Sequence, residues 1–295
     1  MKRIVMAAVA AMTLLVATPG LTLAAGYGNS QFLVDTHWLV LHLNDRDLRI
    51  IDMRNSQEAY AAGHIPGALH LAVDQVRLAS KEAGFVLPPD YEIEERLGQL
   101  GITKETMVIA YDDQGGLNAS RLFFTLDYAG HKKMALLNGG ITKWVAEQRA
   151  LSKTLPQASK TIYQVHAETQ RVAPAGWIVT SLGKPNLALV DARSSGEFRG
   201  EDLRAKQGGH IPGAVNIEWT QNLTGDKTFK SADELLALYE QAGVTKDKTI
   251  VSYCQTMHRA AVTYFTLRLL GYPDVRGYDR SWSEWGNDPT LPVQR

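Results

Sequence analysis

Residues 49–71 read RIIDMRNSQEAYAAGHIPGALHL, and residues 188–217 read ALVDARSSGEFRGEDLRAKQGGHIPGAVNI. Both carry an apolar run, then Asp-x-Arg, then a polar turn, then Gly-His-Ile-Pro-Gly-Ala. Asp52 matches Asp191, Arg54 matches Arg193 and His64 matches His210, with a seven-residue insertion in the second copy. The echo continues downstream. TMVIAYDDQGGLNASRLFFTLDYAG from Thr106 aligns with KTIVSYCQTMHRAAVTYFTLRLLG from Lys248, which sets Tyr111 on Tyr253 and Asp112 on Cys254. LLNGGITKW, ending at Trp144, matches GYDRSWSEW, ending at Trp285. Self-similarity at this spacing means two homologous units of ordinary domain size. The expected division is a leader over 1–25, a first domain over 26–151, a polar linker over 152–174 and a second domain over 175–295.

Each unit alternates strand and helix patterns. LRIIDM, LALVDA, MVIAY and TIVSY are short apolar runs rich in branched residues, which suit buried parallel strands. The stretches ASRLFFTLDYAG and RAAVTYFTLRLLG have apolar stripes that include Phe124, Leu126, Phe265 and Leu269. They end on Gly130 and Gly271, as helices with a left-handed C-terminal glycine do. SADELLALYEQAG opens with Ser231 and has Glu234 three residues later, a capping box. This alternation predicts an α/β fold, with a small parallel sheet flanked by helices in each domain.

Composition sets the outer limits. The chain has 295 residues, 45% of them hydrophobic and 21% charged, with Lys+Arg 31 balancing Asp+Glu 31. Balanced charge gives no electrostatic footprint for nucleic acid. At the N-terminus, Lys2 and Arg3 precede an apolar run from Ile4 to about Ala17, then Pro19, Gly20 and small residues. That is the three-part pattern of a secretory signal peptide, cleaved after Ala24 or Ala25. The run is short for a membrane span, which needs about 20 residues. The expected location is periplasmic or secreted, with no membrane association after cleavage. Exported cysteines ordinarily pair, and this chain has one, Cys254, so it cannot form an internal disulfide.

Cys254 ends the TIVSY strand, and a helix pattern begins a few residues later. Active groups of α/β folds collect at the carboxyl ends of strands. The loop amides and the positive end of the helix dipole there favour anions, and so favour thiolate over thiol. A lone cysteine after an apolar strand is often plain core. Here the other copy carries Asp112 at the same place, and the following residues are polar. Both facts point to a reactive position. Arg259 closes the loop with a permanent positive charge, available either to a bound anion or to an internal salt bridge.

The chain resembles the tandem-domain rhodanese sulfurtransferases over nearly all of its length after the leader. The resemblance rests on Asp-x-Arg and GHIPGA in both halves, on AYDDQGG and LLNGGITKW in the first, and on FRG, FKSADEL, SYCQTMHRA and YDRSWSEWG in the second. It implies five-stranded parallel sheets, a first domain that lost its cysteine to Asp112, and a catalytic Cys254 on a six-residue loop ending at Arg259. It also implies persulfide chemistry. Cys254 takes the outer sulfur of an anionic donor and passes it to cyanide, a small thiol or a thiol protein. The implied donor-binding groups are Gln255, Thr256, Met257, His258 and Arg259, with Arg204 in the insertion. The loop CQTMHR matches neither the basic thiosulfate-type loop nor the glycine-rich mercaptopyruvate-type loop. Met257 stands where a glycine is common, and Arg280 replaces the usual glycine of YDGSW. Glu197 stands where the family places a donor-gripping arginine, and a free carboxylate there argues against 3-mercaptopyruvate. Thiosulfate is the favoured donor.

Other residues have structural readings. The Asp52–Arg54 and Asp191–Arg193 pairs are expected to brace strand and loop, and His64 and His210 to be turn residues. His258 is either an acid–base group or a solvent-facing residue. CxxC, HExxH and GxGxxG are absent from the sequence, so no metal or other cofactor is indicated. A phosphatase or arsenate-reductase-like enzyme is a competing reading of a Cys loop that ends in Arg. Phosphatases of that kind place five residues between the two, whereas four lie between Cys254 and Arg259. A non-enzymatic sulfur carrier is the third reading.

Overall fold

The computed structural model describes residues 26–295, and the leader expected over 1–25 lies outside the described residues. The first domain contains β1 (Leu33–Val34), β2 (Leu48–Asp52), β3 (Leu69–His70), β4 (Leu78–Ser80), β5 (Gly84–Val86), β6 (Met107–Tyr111) and β7 (Met134–Leu137). Its helices are α1 (Thr36–His42), α2 (Gln57–Ala62), α3 (Asp90–Gln99), α4 (Leu117–Tyr128) and α5 (Gly140–Ala146). The second domain contains β8 (Leu187–Asp191), β9 (Val215–Asn216), β10 (Thr249–Tyr253) and β11 (Val275–Gly277). Its helices are α6 (Ala175–Ser181), α7 (Ser195–Arg199), α8 (Ala232–Gln241), α9 (Arg259–Leu269) and α10 (Ser281–Trp285).

The first sheet has the order β1-β7-β6-β2-β3, and all its pairings are parallel. The second has the order β11-β10-β8-β9, also parallel throughout. The fifth strand implied by the resemblance is reduced there to one parallel bridge, Val172 to Gly277. Pro174 follows two residues later, and it has no N–H with which to extend a ladder. The two short strands β4 and β5 form a separate antiparallel hairpin.

Local signals account for the helix ends. Ser231 and Glu234 form the capping box at α8, and Ser194 and Glu197 form another at α7. Gly130 and Gly271 follow α4 and α9 in left-handed backbone, φ +77° and +81°. The paired motifs are braced alike. Arg54 forks onto the Asp52 carboxylate and also donates to the Gly63 carbonyl at 2.9 Å, and Arg193 does the same with Asp191 and Gly209 at 2.7 Å. His64 stacks on Tyr60 and His210 on Phe198, each with Nδ1 on a helix carbonyl. These histidines shape turns.

Each sheet buries one face locally, in clusters around Trp144 in the first domain and Trp282 and Trp285 in the second. The other faces share one apolar cluster that runs through both domains. Helices α4 and α9 meet at its centre. Phe123 stands edge-on to Phe265 at 4.9 Å, and Phe124 to Tyr264 at 5.0 Å. Such aromatic pairs contribute roughly 0.5–1.5 kcal/mol each beyond their burial. The buried Asp127 carboxylate accepts from Tyr264 at 2.6 Å and pairs with Arg268 at 3.0 Å, which ties α4 to α9 with charge as well. The carboxyl ends of both sheets therefore sit on a fixed platform.

Candidate active site

Cys254 follows β10 and is buried, 1% exposed. Residues 255–258 turn the chain into α9, which starts at Arg259. Ser281, at the head of α10, holds this turn from behind. Its hydroxyl accepts from the Met257 amide at 3.0 Å and the Cys254 amide at 3.3 Å, and donates to the Tyr278 carbonyl at 2.7 Å. Ser283 adds a bond from its hydroxyl to the Gln255 carbonyl at 2.7 Å. The amides of Thr256, His258 and Ala260 meet no protein acceptor among the described residues.

The first domain shows what this turn does to a negative charge. Asp112 follows β6 at the equivalent position, fully buried. One carboxylate oxygen accepts from the amides of Gln114 (2.8 Å) and Gly116 (2.9 Å), and the other from Asn118 (2.8 Å) and Ala119 (2.9 Å). Burial pushes its pKa above the ordinary carboxylate value, and the four amides pull the other way. All four of these neighbours are N–H donors, so none can accept a carboxyl proton, and the geometry is that of the anion. Five residues separate the strand end from the helix start in both loops. By position, Thr256, His258 and Ala260 are the counterparts of Gln114, Gly116 and Asn118.

The binding residues expected around Cys254 are placed variously. Arg259, considered for the donor's anionic group, instead forms a two-pronged pair with Glu197, at 2.6 and 2.9 Å. Glu197 is buried, and its capping-box role in α7 fixes the carboxylate. Burial opposes its charge, but the bonds from Arg259 carry its pKa down to about 2. For Arg259 burial also opposes the charge, and Glu197 with the neighbouring Cys254 sulfur raises its pKa further above the usual value. Glu197 is therefore not the free repelling carboxylate that the sequence suggested. Arg204 approaches the same carboxylate at 3.4 Å with its side chain half-exposed. Met257 contributes through its backbone. Its side chain is fully buried in the shared core, and the residue sits at φ +53°, the left-handed backbone that explains a glycine preference there. Only its backbone faces the site, with the carbonyl accepting from Arg121 at 3.4 Å. Gln255 donates to the Arg204 carbonyl and the Ser283 hydroxyl, both at 3.1 Å, and so joins the insertion to the loop.

His258 lies half-buried where the two domains meet. Burial, then the guanidinium groups of Arg77, Arg121 and Arg259, push its pKa down to about 3. It is a neutral ring at pH 7. Its Nε2–H donates to Asn118 Oδ1 at 2.8 Å, and its Nδ1 accepts from Arg77 at 3.3 Å. Both partners belong to the first domain. That domain reaches the loop twice more. Buried Arg121 pairs with Asp279 at 2.9 Å, and Asp279 also accepts from the Leu87 amide at 2.6 Å. The β4–β5 hairpin lies on the loop so closely that a Cβ at Gly84 would stand 2.9 Å from the Thr256 methyl. The sequence did not single out Ser281, Arg77, Asn118 or Arg121. For Ser281 a signal existed, because the repeat sets it opposite Gly140.

The family profile of the rhodanese-like domain matches residues 35–147 and 174–288. The thiosulfate sulfurtransferase of Azotobacter vinelandii is 40% identical over 256 residues, 87% of this chain and 94% of that protein. A sulfur carrier protein of Thermus thermophilus is 38% identical over 285 residues, covering 92% and 99%. Among solved structures, the anaerobic ergothioneine biosynthesis enzyme of Chlorobium limicola, in complex with trimethyl histidine, superposes with a TM-score of 0.81 at 25% identity, covering 90% of this chain and 71% of that one.

Proposed function

This chain belongs to the rhodanese family, and we propose that it is a sulfurtransferase working through a persulfide on Cys254, with thiosulfate as the favoured donor. One observation carries the mechanism. The turn that presents Cys254 is the turn that, in the first domain, seats a buried carboxylate on four amides. A turn of this kind stabilises thiolate, persulfide and transition-state charge in the same place.

In the first half-reaction the Cys254 thiolate attacks the outer sulfur of thiosulfate. A new S–S bond forms to Cys254, the donor's S–S bond breaks, and sulfite leaves with the electron pair. The charge of three is conserved, one on the persulfide and two on sulfite. In the second, a thiophilic acceptor attacks the terminal sulfur and thiolate is regenerated, with cyanide becoming thiocyanate. Both steps are displacements at sulfur and need no proton, which agrees with a neutral His258. The amides of Thr256, His258 and Ala260 take the charge, and Gln255 and Ser283 hold the turn. A phosphatase reading has the four-residue spacing against it. The pattern of residues 1–25 supports a periplasmic or secreted setting, where a single buried thiol avoids unwanted pairing.

Intact-mass measurement after thiosulfate treatment tests the proposal. The protein should gain one sulfur atom, Cys254→Ser should gain none, and cyanide should remove the added sulfur with release of thiocyanate. Absence of the added sulfur in the unaltered protein would sink the reading. The Thermus thermophilus relative favours a second reading as a carrier. In that case sulfur loads, but turnover with cyanide stays below one per protein over the assay.

A further inference from the structure

The Glu197–Arg259 pair does more than stabilise the fold. We propose that Glu197 is a specificity-determining residue of the second domain, withdrawing Arg259 from the donor and so penalising a second negative charge on it. The inference rests on the sulfurtransferase reading and deepens it.

Three observations converge. Arg259 has both terminal nitrogens on Glu197, at 2.6 and 2.9 Å, so the fork that would grip a sulfonate is already filled. Glu197 cannot easily let go. It is buried, and its Oε2 also accepts from the Ser194 amide at 3.3 Å and the Ser194 hydroxyl at 3.1 Å as part of the α7 capping box. Finally, the charges facing this pair do not replace what Glu197 cancels. Arg193 is committed to Asp191 and the Gly209 carbonyl, Arg204 leans on Glu197 and Asp202, and His258 is neutral. Among the groups next to Cys254, the loop amides remain as the unspent anion binders.

Amides of this kind suit one delocalised charge. Thiosulfate carries two, while an organic thiosulfonate presents the same outer sulfur with one. Removing the charge of Glu197 should therefore help the dianion most. Such a change would free Arg259, a guanidinium of permanent charge.

Steady-state kinetics with cyanide as acceptor would test this, using thiosulfate and benzenethiosulfonate as donors. In Glu197→Gln, KM for thiosulfate should fall on the order of tenfold and KM for benzenethiosulfonate about threefold or less. Ionic strength should raise the thiosulfate KM more steeply than in the unaltered protein, because salt screens the added attraction between Arg259 and the incoming dianion. In the double variant Glu197→Gln/Arg259→Gln, the gain should vanish and KM for thiosulfate return to within about threefold of the unaltered value. A thiosulfate KM that is unchanged or higher in Glu197→Gln, or an equal fall for both donors, overturns the proposal. Should Glu197→Gln not fold, the double variant decides. It leaves no unpaired buried charge, and a rise in KM beyond about tenfold would mean that Arg259 grips the donor after all. Failure of the unaltered protein to gain sulfur would instead count against the sulfurtransferase reading itself.

Discussion

Asp112 and Cys254 stand at the same turn of the same fold, after β6 and after β10, yet the two loops are held in different ways. The Asp112 loop satisfies itself. Its carboxylate takes four of its own amides, and the neighbouring domain covers it with apolar side chains, Leu223 over Gly115 and Phe229 against Gly116. The Cys254 loop is held from outside, by Ser281 behind it and by Arg77, Asn118 and Arg121 of the other domain in front. Self-satisfaction leaves no capacity for a ligand. External support keeps several amides unpaired without letting the turn collapse onto them. The first domain thus lacks a nucleophile of its own but helps build the site of its partner.

The sharpest test of this contrast is a matched pair of small substitutions. Asp112→Asn turns an amide group toward four N–H donors, and buried donors left unsatisfied are costly. It should destabilise the protein by about 2–4 kcal/mol. Cys254→Ser removes nothing that the loop amides depend on and should cost about 1 kcal/mol or less. Sulfur loading should respond in the reverse order, lost in Cys254→Ser and retained in folded Asp112→Asn. Urea unfolding and intact mass on the same samples would read both. Equal destabilisation by the two changes would mean that the amides of the Cys254 turn already have an acceptor.

Much of the architecture was legible because it is written locally. Short branched runs, glycines in left-handed positions and the Ser231–Glu234 box each act within one element, and the duplication states them twice. The reduction of the fifth strand in the second sheet was not legible, since a single bridge at Val172 leaves no periodicity to read. The site divides along the same line. Cys254 and its turn could be read from strand, loop and helix order. The Arg259–Glu197 pair could not, because it depends on how α7 lies against the head of α9, 62 positions away. The burial of the Met257 side chain was hidden for a related reason. A sequence cannot show that a polar-looking loop sends one side chain into the shared core while its backbone stays at the site. Arg77, Asn118 and Arg121 were invisible, since only the docking of the two domains brings them to the cysteine.

A second test weakens the external support. The His258 pKa is lowered in the folded state to about 3 against about 6.5 when unfolded, so the unfolded chain binds the proton first. Stability from this group is complete above about pH 6.5 and is lost as pH falls toward 3. Glu197, lowered to about 2, and other carboxylates lose their contributions mainly below about pH 4.5, so the histidine is best read between pH 6.5 and 5. His258→Gln should cost about 1 kcal/mol at pH 8 and reduce the slope of stability across that interval, leaving the share of buried His131, whose pKa burial also lowers. The sulfur-transfer rate of the unaltered protein should show no inflection from this ring between pH 5 and 8. An inflection that disappears in His258→Gln would return the residue to acid–base chemistry.

The smallest expected change in stability tests the support behind the loop. Gly140 of the first domain sits at φ +54°, where an added Cβ would come within 2.1 Å of the Asp112 carbonyl oxygen. Ser281 occupies the equivalent place at φ +50°, accepting the backbone strain and using its hydroxyl on two loop amides. Ser281→Gly copies the first domain. It loses hydrogen bonds worth about 1 kcal/mol each but relieves a left-handed serine at a cost of similar size, so net stability should move by about 1 kcal/mol or less. Ser281→Ala loses the bonds and keeps the strain, and should be the less stable of the two. Both variants leave the Cys254 turn without its rear acceptor, and misplacement of the nucleophile should slow sulfur loading on the order of tenfold in each. Similar loading rates from glycine and alanine, despite their different stabilities, would separate the hydroxyl's effect on the nucleophile from its effect on the fold. Loading at the unaltered rate in both would show that the loop holds its shape without Ser281.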